Sequence, residues 1–341
     1  NIDISGVNSG GAITTLTYGT VGSSQTVTLT GLQANAETIA GTGVTIVKTL
    51  GASTNLGSIT TTNLTLQLAG NVTFGGTFNT GPAVTFDTDN DTTARTVDIS
   101  TATNLPASIA VDDDVTITLT ATQANTLTMT GAGTAIVTSL AATTNLSSVS
   151  VAALTLQLAG DVTYTGSVHG TPAITLDTSS GGTARALDIT GSGSFNPASI
   201  AVDDDVTLTM TATQANAETI TGAGTVIVTS LAATTNLSSV SVAALTLQLA
   251  GDVTYTGSVH GTPAITLDTS SGGTARALDI TGSGSFNPAS IAVDDDVTLT
   301  MTAAQANAET ITGAGNVTVT GTSITTLDLS SVTANIDISG V

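Results

Sequence analysis

The residues from Ile136 to Ala212 return letter for letter, 91 positions later, as Ile227 to Ala303. A looser copy precedes them. Gln33, Gln123, Gln214 and Gln305 each open a Gln-Ala-Asn turn, and Val-Asp-Asp-Asp-Val recurs at Val111, Val202 and Val293. A fixed period of this length marks an array or solenoid and limits every local reading. Each strand entered through Asp-Val-Thr or Asn-Val-Thr follows Asn71, Asp114, Asp161, Asp205, Asp252 or Asp296, which spaces these strands by 43 to 47 residues. The building block is therefore a half-unit of about 45 residues, read as two coils of about 22–23 residues.

Within a half-unit, apolar residues alternate with Thr. Val206, Leu208 and Met210 fall on one face and Thr207 and Thr209 on the other, and Leu245-Thr-Leu-Gln-Leu249 repeats the pattern. Period-two alternation with β-branched residues predicts half-buried strands. Thr221-Gly-Ala-Gly224 and Asp268-Thr-Ser-Ser-Gly-Gly273 read as turns. Val242 to Leu249 fits a helix or a strand, and its Thr and Val favour the strand. Two all-β folds accommodate this: a parallel β-solenoid, or tandem immunoglobulin-like sandwiches. A sandwich needs about 100 residues, so the inner half-unit favours the solenoid. The segments would be a leading coil at 1–24, repeat units at 25–114, 115–205 and 206–296, and a partial unit with a terminal coil at 297–341, all in one continuous stack.

Composition narrows the partners. The chain carries 25 acids against 4 bases, a net charge of −21. That excludes the clustered Lys and Arg that phosphate backbones need and disfavours an anionic membrane surface. It favours solubility and attraction of cations. There is no cysteine, so disulfides do not hold the fold. No apolar run reaches 18 residues, so no membrane-spanning helix is expected. The chain starts at Asn1 with neither initiator Met nor signal peptide and reads as a processed product or a piece of something longer. Asn1-Ile-Asp-Ile-Ser-Gly-Val7 recurs as Asn335 to Val341, and neither copy resembles the polar cap of most repeat arrays.

Thr207-Leu-Thr-Met-Thr, Gln214-Ala-Asn-Ala-Glu-Thr-Ile-Thr-Gly-Ala-Gly224 and Ile324-Thr-Thr-Leu-Asp-Leu-Ser-Ser-Val332 resemble the long β-strand repeat proteins of prokaryotic cell surfaces. That group comprises S-layer proteins, large adhesins and secreted fibres. The resemblance covers nearly the whole chain and is one of style and composition. It implies an extracellular, self-associating structural protein, often assembled with calcium. The Gly-Gly-x-Gly-x-Asp calcium nonapeptide of the hemolysin-type relatives is missing. Its nearest counterpart, Gly181 to Asp188, has the wrong spacing.

The sharpest candidates for chemistry are the Asp triplets: Asp112, Asp113 and Asp114; Asp203, Asp204 and Asp205; Asp294, Asp295 and Asp296. Neighbouring carboxylates repel, and calcium accepts six to eight oxygens in flexible geometry. The plainer reading is a solvated turn whose Asp oxygens accept backbone N–H groups. Asp87-x-Asp89-x-Asp91 with Asp98 imitates an EF-hand loop, with Thr92 where that loop has Gly. His169 and His260 recur at equivalent positions, where the first unit has Asn79, which suits a turn better than a catalytic base. Arg95, Arg185 and Arg276 recur ahead of an Asp-Ile pair and are expected to meet an acid on the next coil. Thr-x-Thr strings raise ice binding, which the uneven gaps disfavour. Sequons stand at Asn63, Asn71, Asn90, Asn145, Asn236 and Asn316.

The function expected is therefore mechanical: no enzyme, but a fibre or layer of copies joined head to tail, with divalent cations able to bridge them. The alternative is the spacer stalk of an adhesin whose binding head lies outside this chain.

Overall fold

A computed structural model describes residues 2–6, 20–88, 93–125, 127–169, 172–179, 181–260, 263–270, 273–321 and 326–341. It is all-β, 53% strand and 5% helix, with parallel strands stacked into a β-solenoid of about 15 turns. Every strand pairing among the described residues is parallel, which excludes the antiparallel sandwich alternative. By internal contacts the chain divides into two compact units, Asn1–Gln157 with Gly166–Ile174, and Leu158–Thr165 with Thr175–Val341.

In the first unit one ladder of inward residues runs Val27, Thr45, Leu64, Val84, Ile109, Met129 and Val149, each opposite the next. All are buried. Thr45 is the polar exception, and its hydroxyl meets that of Thr61 at 3.0 Å inside the stack. Pairing satisfies the hydroxyls, so the interruption is tolerated.

In the second unit the corresponding ladder is Leu208, Val226, Leu245, Ile265, Ile291 and Ile311. None is more than 1% exposed. The alternation read from the sequence is the cause: Leu and Ile point in, Thr points out, and successive turns place like on like. The Val242–Leu249 stretch is strand from Ala244 to Leu249, as its β-branched content required.

Turn length varies around the expected 22–23 residues, from 18 between Leu208 and Val226 to 27 between Val259 and Phe286. This has a consequence for the repeat. Four turns carry Leu208 to Ile291, while its sequence copy, Leu299, stands eight residues further on. The identical strands Val206–Thr211 and Val297–Thr302 consequently lie in different sheets, one of 8 strands and one of 5. The sequence repeat and the turn of the stack are out of step, so equivalent residues are carried round the stack.

The Gln-Ala-Asn turns are single turns of α-helix, at Gly31–Ala34, Ala121–Ala124, Ala212–Ala215 and Ala303–Ala306. Each is opened by a Thr whose side chain accepts the Gln N–H, while the Gln side chain accepts the Thr N–H. This is a reciprocal capping box. The Gln amide then reaches back one turn, as from Gln214 Nε2 to the carbonyls of Ile189 (2.7 Å) and Ser192 (3.0 Å).

Candidate functional site

Each Asp triplet occupies a tight corner between two strands. In the second unit Val206 N–H donates to the Asp203 carbonyl at 3.0 Å, closing a four-residue turn, and Asp204 N–H donates to Asp203 Oδ1 at 3.0 Å. The same bonds recur at Asp294, with Val297 at 2.9 Å and Asp295 at 3.0 Å. They recur again at Asp112, with Val115 at 3.0 Å and Asp113 at 3.1 Å. The first Asp thus makes the turn, as the plainer sequence reading required. The middle residues Asp113, Asp204 and Asp295 are exposed.

The third Asp of each triplet is the stitching residue. Asp205 Oδ2 accepts the Thr178 hydroxyl at 2.7 Å and the Gly182 N–H at 2.9 Å, both from the preceding turn. Asp296 Oδ2 does the same with Thr269 (2.9 Å) and Gly273 (2.7 Å). Asp114 Oδ2 accepts the Thr88 hydroxyl. The Thr178 hydroxyl holds the Asp205 carboxyl below the usual carboxylate range, with help from the Gly182 N–H and the Arg185 charge. Arg185 and Arg276 sit beside these turns, each donating its backbone N–H to the third Asp carbonyl at 2.9 Å.

The other oxygen of this residue, Oδ1 of Asp114, Asp205 and Asp296, is buried and meets no hydrogen-bond donor. The register adds a carboxylate that sequence spacing did not reveal. Asp268, on the preceding turn, brings a carboxylate oxygen within 4.8 Å of those of Asp294 and Asp296. Consecutive carboxylates of the other two triplets, Asp112 to Asp114 and Asp203 to Asp205, converge within the same distance. In the first repeat Asp87 lies beside Asp112; burial, then this neighbouring acid, pushes the Asp87 carboxyl above its ordinary range. Two acids in contact share a proton or a cation. An all-oxygen donor set with an orphaned carboxylate oxygen suits calcium and excludes soft-metal chemistry.

The EF-hand-like loop is not assembled from its described members. Asp87 faces Asp112, whereas Asp98 Oδ1 caps Ser100 N–H at 2.8 Å. Asp89 and Asp91 lie outside the described residues, as does the sequon residue Asn90. His169 and His260 end the short strands Ser167–His169 and Ser258–His260. Asn79, at their position in the first repeat, bonds the Gly57 carbonyl (2.7 Å) and the Gly81 N–H (2.9 Å), a turn role.

Glu218 and Glu309 lie apart from the acidic turns. Both follow a Gln turn, both have a buried Oε1 without a donor, and burial raises the pKa of both. The signal was available by comparing repeats: Leu127 holds the same place after Gln123 and is only 2% exposed. Replacing both Glu218 and Glu309 by Leu is expected to stabilise the fold by about 1 kcal/mol per site, since a half-buried unpaired carboxyl is removed. A group with a raised folded pKa binds more protons folded than unfolded. Its stability contribution is complete below the unfolded value and falls as pH rises through the raised range. Denaturation midpoints taken across that range should therefore decline in the parent chain and flatten in the double variant.

Shallow grooves repeat beside the helical turns, one of them, about 480 Å³, lined by Thr30, Leu32, Asn35, Thr49 and Ser53. Among the described residues no helix is long and apolar enough to cross a membrane. Comparison with protein-family models, with curated proteins and with solved structures finds no match to this chain.

Proposed function

We propose that this chain is a structural protein, a stretch of extracellular cell-surface fibre or layer formed by self-association of stacked β turns. The observation that carries the reading is the tiling. The acidic turns, the Gln caps and the inward ladders recur once per repeat in equivalent surroundings, and substrate turnover calls for one differentiated constellation instead. The resemblance to surface β-strand repeat proteins supports the extracellular placement. The net charge of −21 keeps separate stacks apart at low divalent ion, because like-charged surfaces repel.

Calcium belongs to the same proposal. The carboxylates of Asp268, Asp294 and Asp296, and of Asp112 to Asp114 and Asp203 to Asp205, would hold it; it would neutralise acids that otherwise repel. Since the repeat and the turn are out of step, the two acidic corners of the second unit flank different sheets. Bridging would then act in more than one direction, as a layer or bundle needs.

Electron microscopy and light scattering of the purified chain test this. Filaments that bundle with millimolar calcium and separate with a chelator are the expected result. A chain that stays monomeric at high concentration, with and without calcium, overturns the reading and returns the choice to a spacer stalk.

A further inference from the structure

We propose that the grooves beside the helical turns bind neutral sugar rings, so that the chain holds an uncharged polysaccharide. Each groove is built within one chain, and the proposal does not depend on the fibre reading above.

The groove follows from how the stack accommodates the helical turn. Strand Asn236–Leu237 opens a three-stranded ladder with Ser258–His260 and Ser285–Asn287. One turn earlier the chain makes the helical turn Ala212–Ala215 in place of a strand. The first N–H of the ladder therefore has no strand to meet. Asn216 Oδ1 accepts it instead, from Asn236 at 2.8 Å. Beside this substitute bond a notch of about 170 Å³ stays open, with Ala212, Thr213 and Asn216 on one turn and Ala232, Thr234 and Thr235 on the next. The construction returns at Asn125, whose Oδ1 accepts Asn145 N–H at 2.7 Å beside a notch of about 160 Å³. It returns again at Asn35, which accepts Asn55 N–H at 2.8 Å beside the groove with Leu32.

The polar groups left over decide the ligand. Pinning its oxygen fixes the Asn216 amide and leaves both Nδ2–H donors to spare. Among the described residues neither these donors nor the exposed hydroxyls of Thr213 and Thr234 meet a protein partner. Asn125, Thr122 and Thr143 repeat the set. An acceptor alone does not call for Asn, since a carboxylate accepts more strongly. Elsewhere the chain exchanges the two: Asn71, Asp161 and Asp252 make one and the same cross-turn bond, to Thr96, Ala186 and Ala277. Yet Asn holds all four places after the Gln turns, at 35, 125, 216 and 307. The amide donors are what Asp lacks.

No charged or aromatic side chain lines any of the three grooves. A phosphate or sulfate would find no cation there and would meet a net charge of −21. A metal ion would find no carboxylate. The set matches an uncharged ring edged with hydroxyls, with amide and hydroxyl groups for its oxygens and the Ala212 and Ala232 methyls for its C–H face. In the groove at Asn35, Leu32 stands where the other two have Thr122 and Thr213, is 49% exposed, and extends the apolar contact. A shallow notch covers one ring incompletely, so a single sugar binds weakly. Tightness comes from several grooves engaging one polymer.

Native electrophoresis of the full chain tests this, in gels cast with dextran, mannan or hydroxyethyl cellulose, and with heparin or alginate as anionic comparators. It is run at concentrations where light scattering shows no assembly. Retardation by a neutral polysaccharide and none by the anionic pair is the expected result. A variant carrying Thr122→Val, Thr143→Val, Thr213→Val and Thr234→Val keeps side-chain shape and removes four hydroxyls. Its dissociation constant is expected to rise about tenfold or more. Asn125→Asp with Asn216→Asp keeps an acceptor for the Asn145 and Asn236 N–H groups and removes the donors. It should unfold in urea at the parent midpoint and lose binding to a similar degree. Mobility unchanged by every neutral polysaccharide, stronger retardation by heparin or alginate, or retardation of both variants equal to the parent overturns the sugar site. Filament formation is read separately, so any of these results leaves the fibre reading standing.

Discussion

Gly222→Ala is expected to cost on the order of 3 kcal/mol or more and to unpick the stack locally. Gly222 has φ of +122°, where an L side chain is strained. A Cβ there would lie 2.1 Å from the carbonyl oxygen of Val202 and 2.8 Å from its nitrogen. Both atoms are backbone and cannot yield. Two residues on, a Cβ at Gly224 would meet the Asp203 carbonyl at 2.2 Å. The Gly-Ala-Gly motif is thus the surface on which the preceding Asp turn rests, and Gly224 N–H donates to the Val202 carbonyl at 3.0 Å across that contact. Gly131 and Gly313 repeat the arrangement against Val111 and Val293, at φ of +120° and +109°. Urea titration of Gly222→Ala should show the loss. Hydrogen exchange should place it at Ile220 and Thr221, whose strand pairs with Ile200 and Ala201. Ala223→Ser, between the two glycines and exposed, is the control expected to change stability by less than about 0.5 kcal/mol.

The sequence signalled these glycines only as turn residues. The solenoid itself was legible because a 45-residue half-unit is too short to close a sandwich core, while alternating Leu and Thr is what strands with one inward and one outward face need. The Asp triplets were legible as turns for the same local reason. What stayed hidden depends on register. Asp268 joins Asp294 and Asp296 only because the turn between them is 26 residues long, as Ile265 facing Ile291 shows. Nothing in local spacing fixes that length: Leu245 faces Ile265 but Val253 faces Leu278, so the extra residues enter between 265 and 278. The out-of-step repeat was hidden likewise, because equal halves suggested equal turns. The helical turns at Gln33, Gln123, Gln214 and Gln305 were legible in principle: Thr-x-x-Gln is a capping box signature. Four residues, though, are too few to give a helical period.

Gln214→Ala is expected to cost about 2–4 kcal/mol, the second largest loss. Its Oε1 accepts the Thr211 N–H at 2.8 Å and the Thr211 hydroxyl at 3.0 Å, while Nε2 donates to the carbonyls of Ile189 and Ser192. Truncation removes at once the acceptor of the Thr211 N–H and a donor to each of two carbonyls on the preceding turn, of which Ile189 keeps the Ser192 N–H at 2.9 Å; each lost bond is worth about 1 kcal/mol or more when part-buried. Gln214→Glu separates the two halves of this role. Its carboxylate still accepts from Thr211, yet it places negative charge against the Ile189 and Ser192 carbonyls and offers no donor. The loss should therefore be at least as large at neutral pH and shrink in acid, where a protonated carboxyl donates one bond. In sign terms, the repelled carboxylate has a raised folded pKa, so stability falls as pH rises through it. Thermal and urea unfolding of both variants at two pH values distinguish this from a simple packing defect, which would be insensitive to pH. Since turns contact only their neighbours, the damage should stay near Ile189 to Thr229. Exchange protection lost uniformly along the whole chain would refute the assignment of Gln214 as a clamp between adjacent turns.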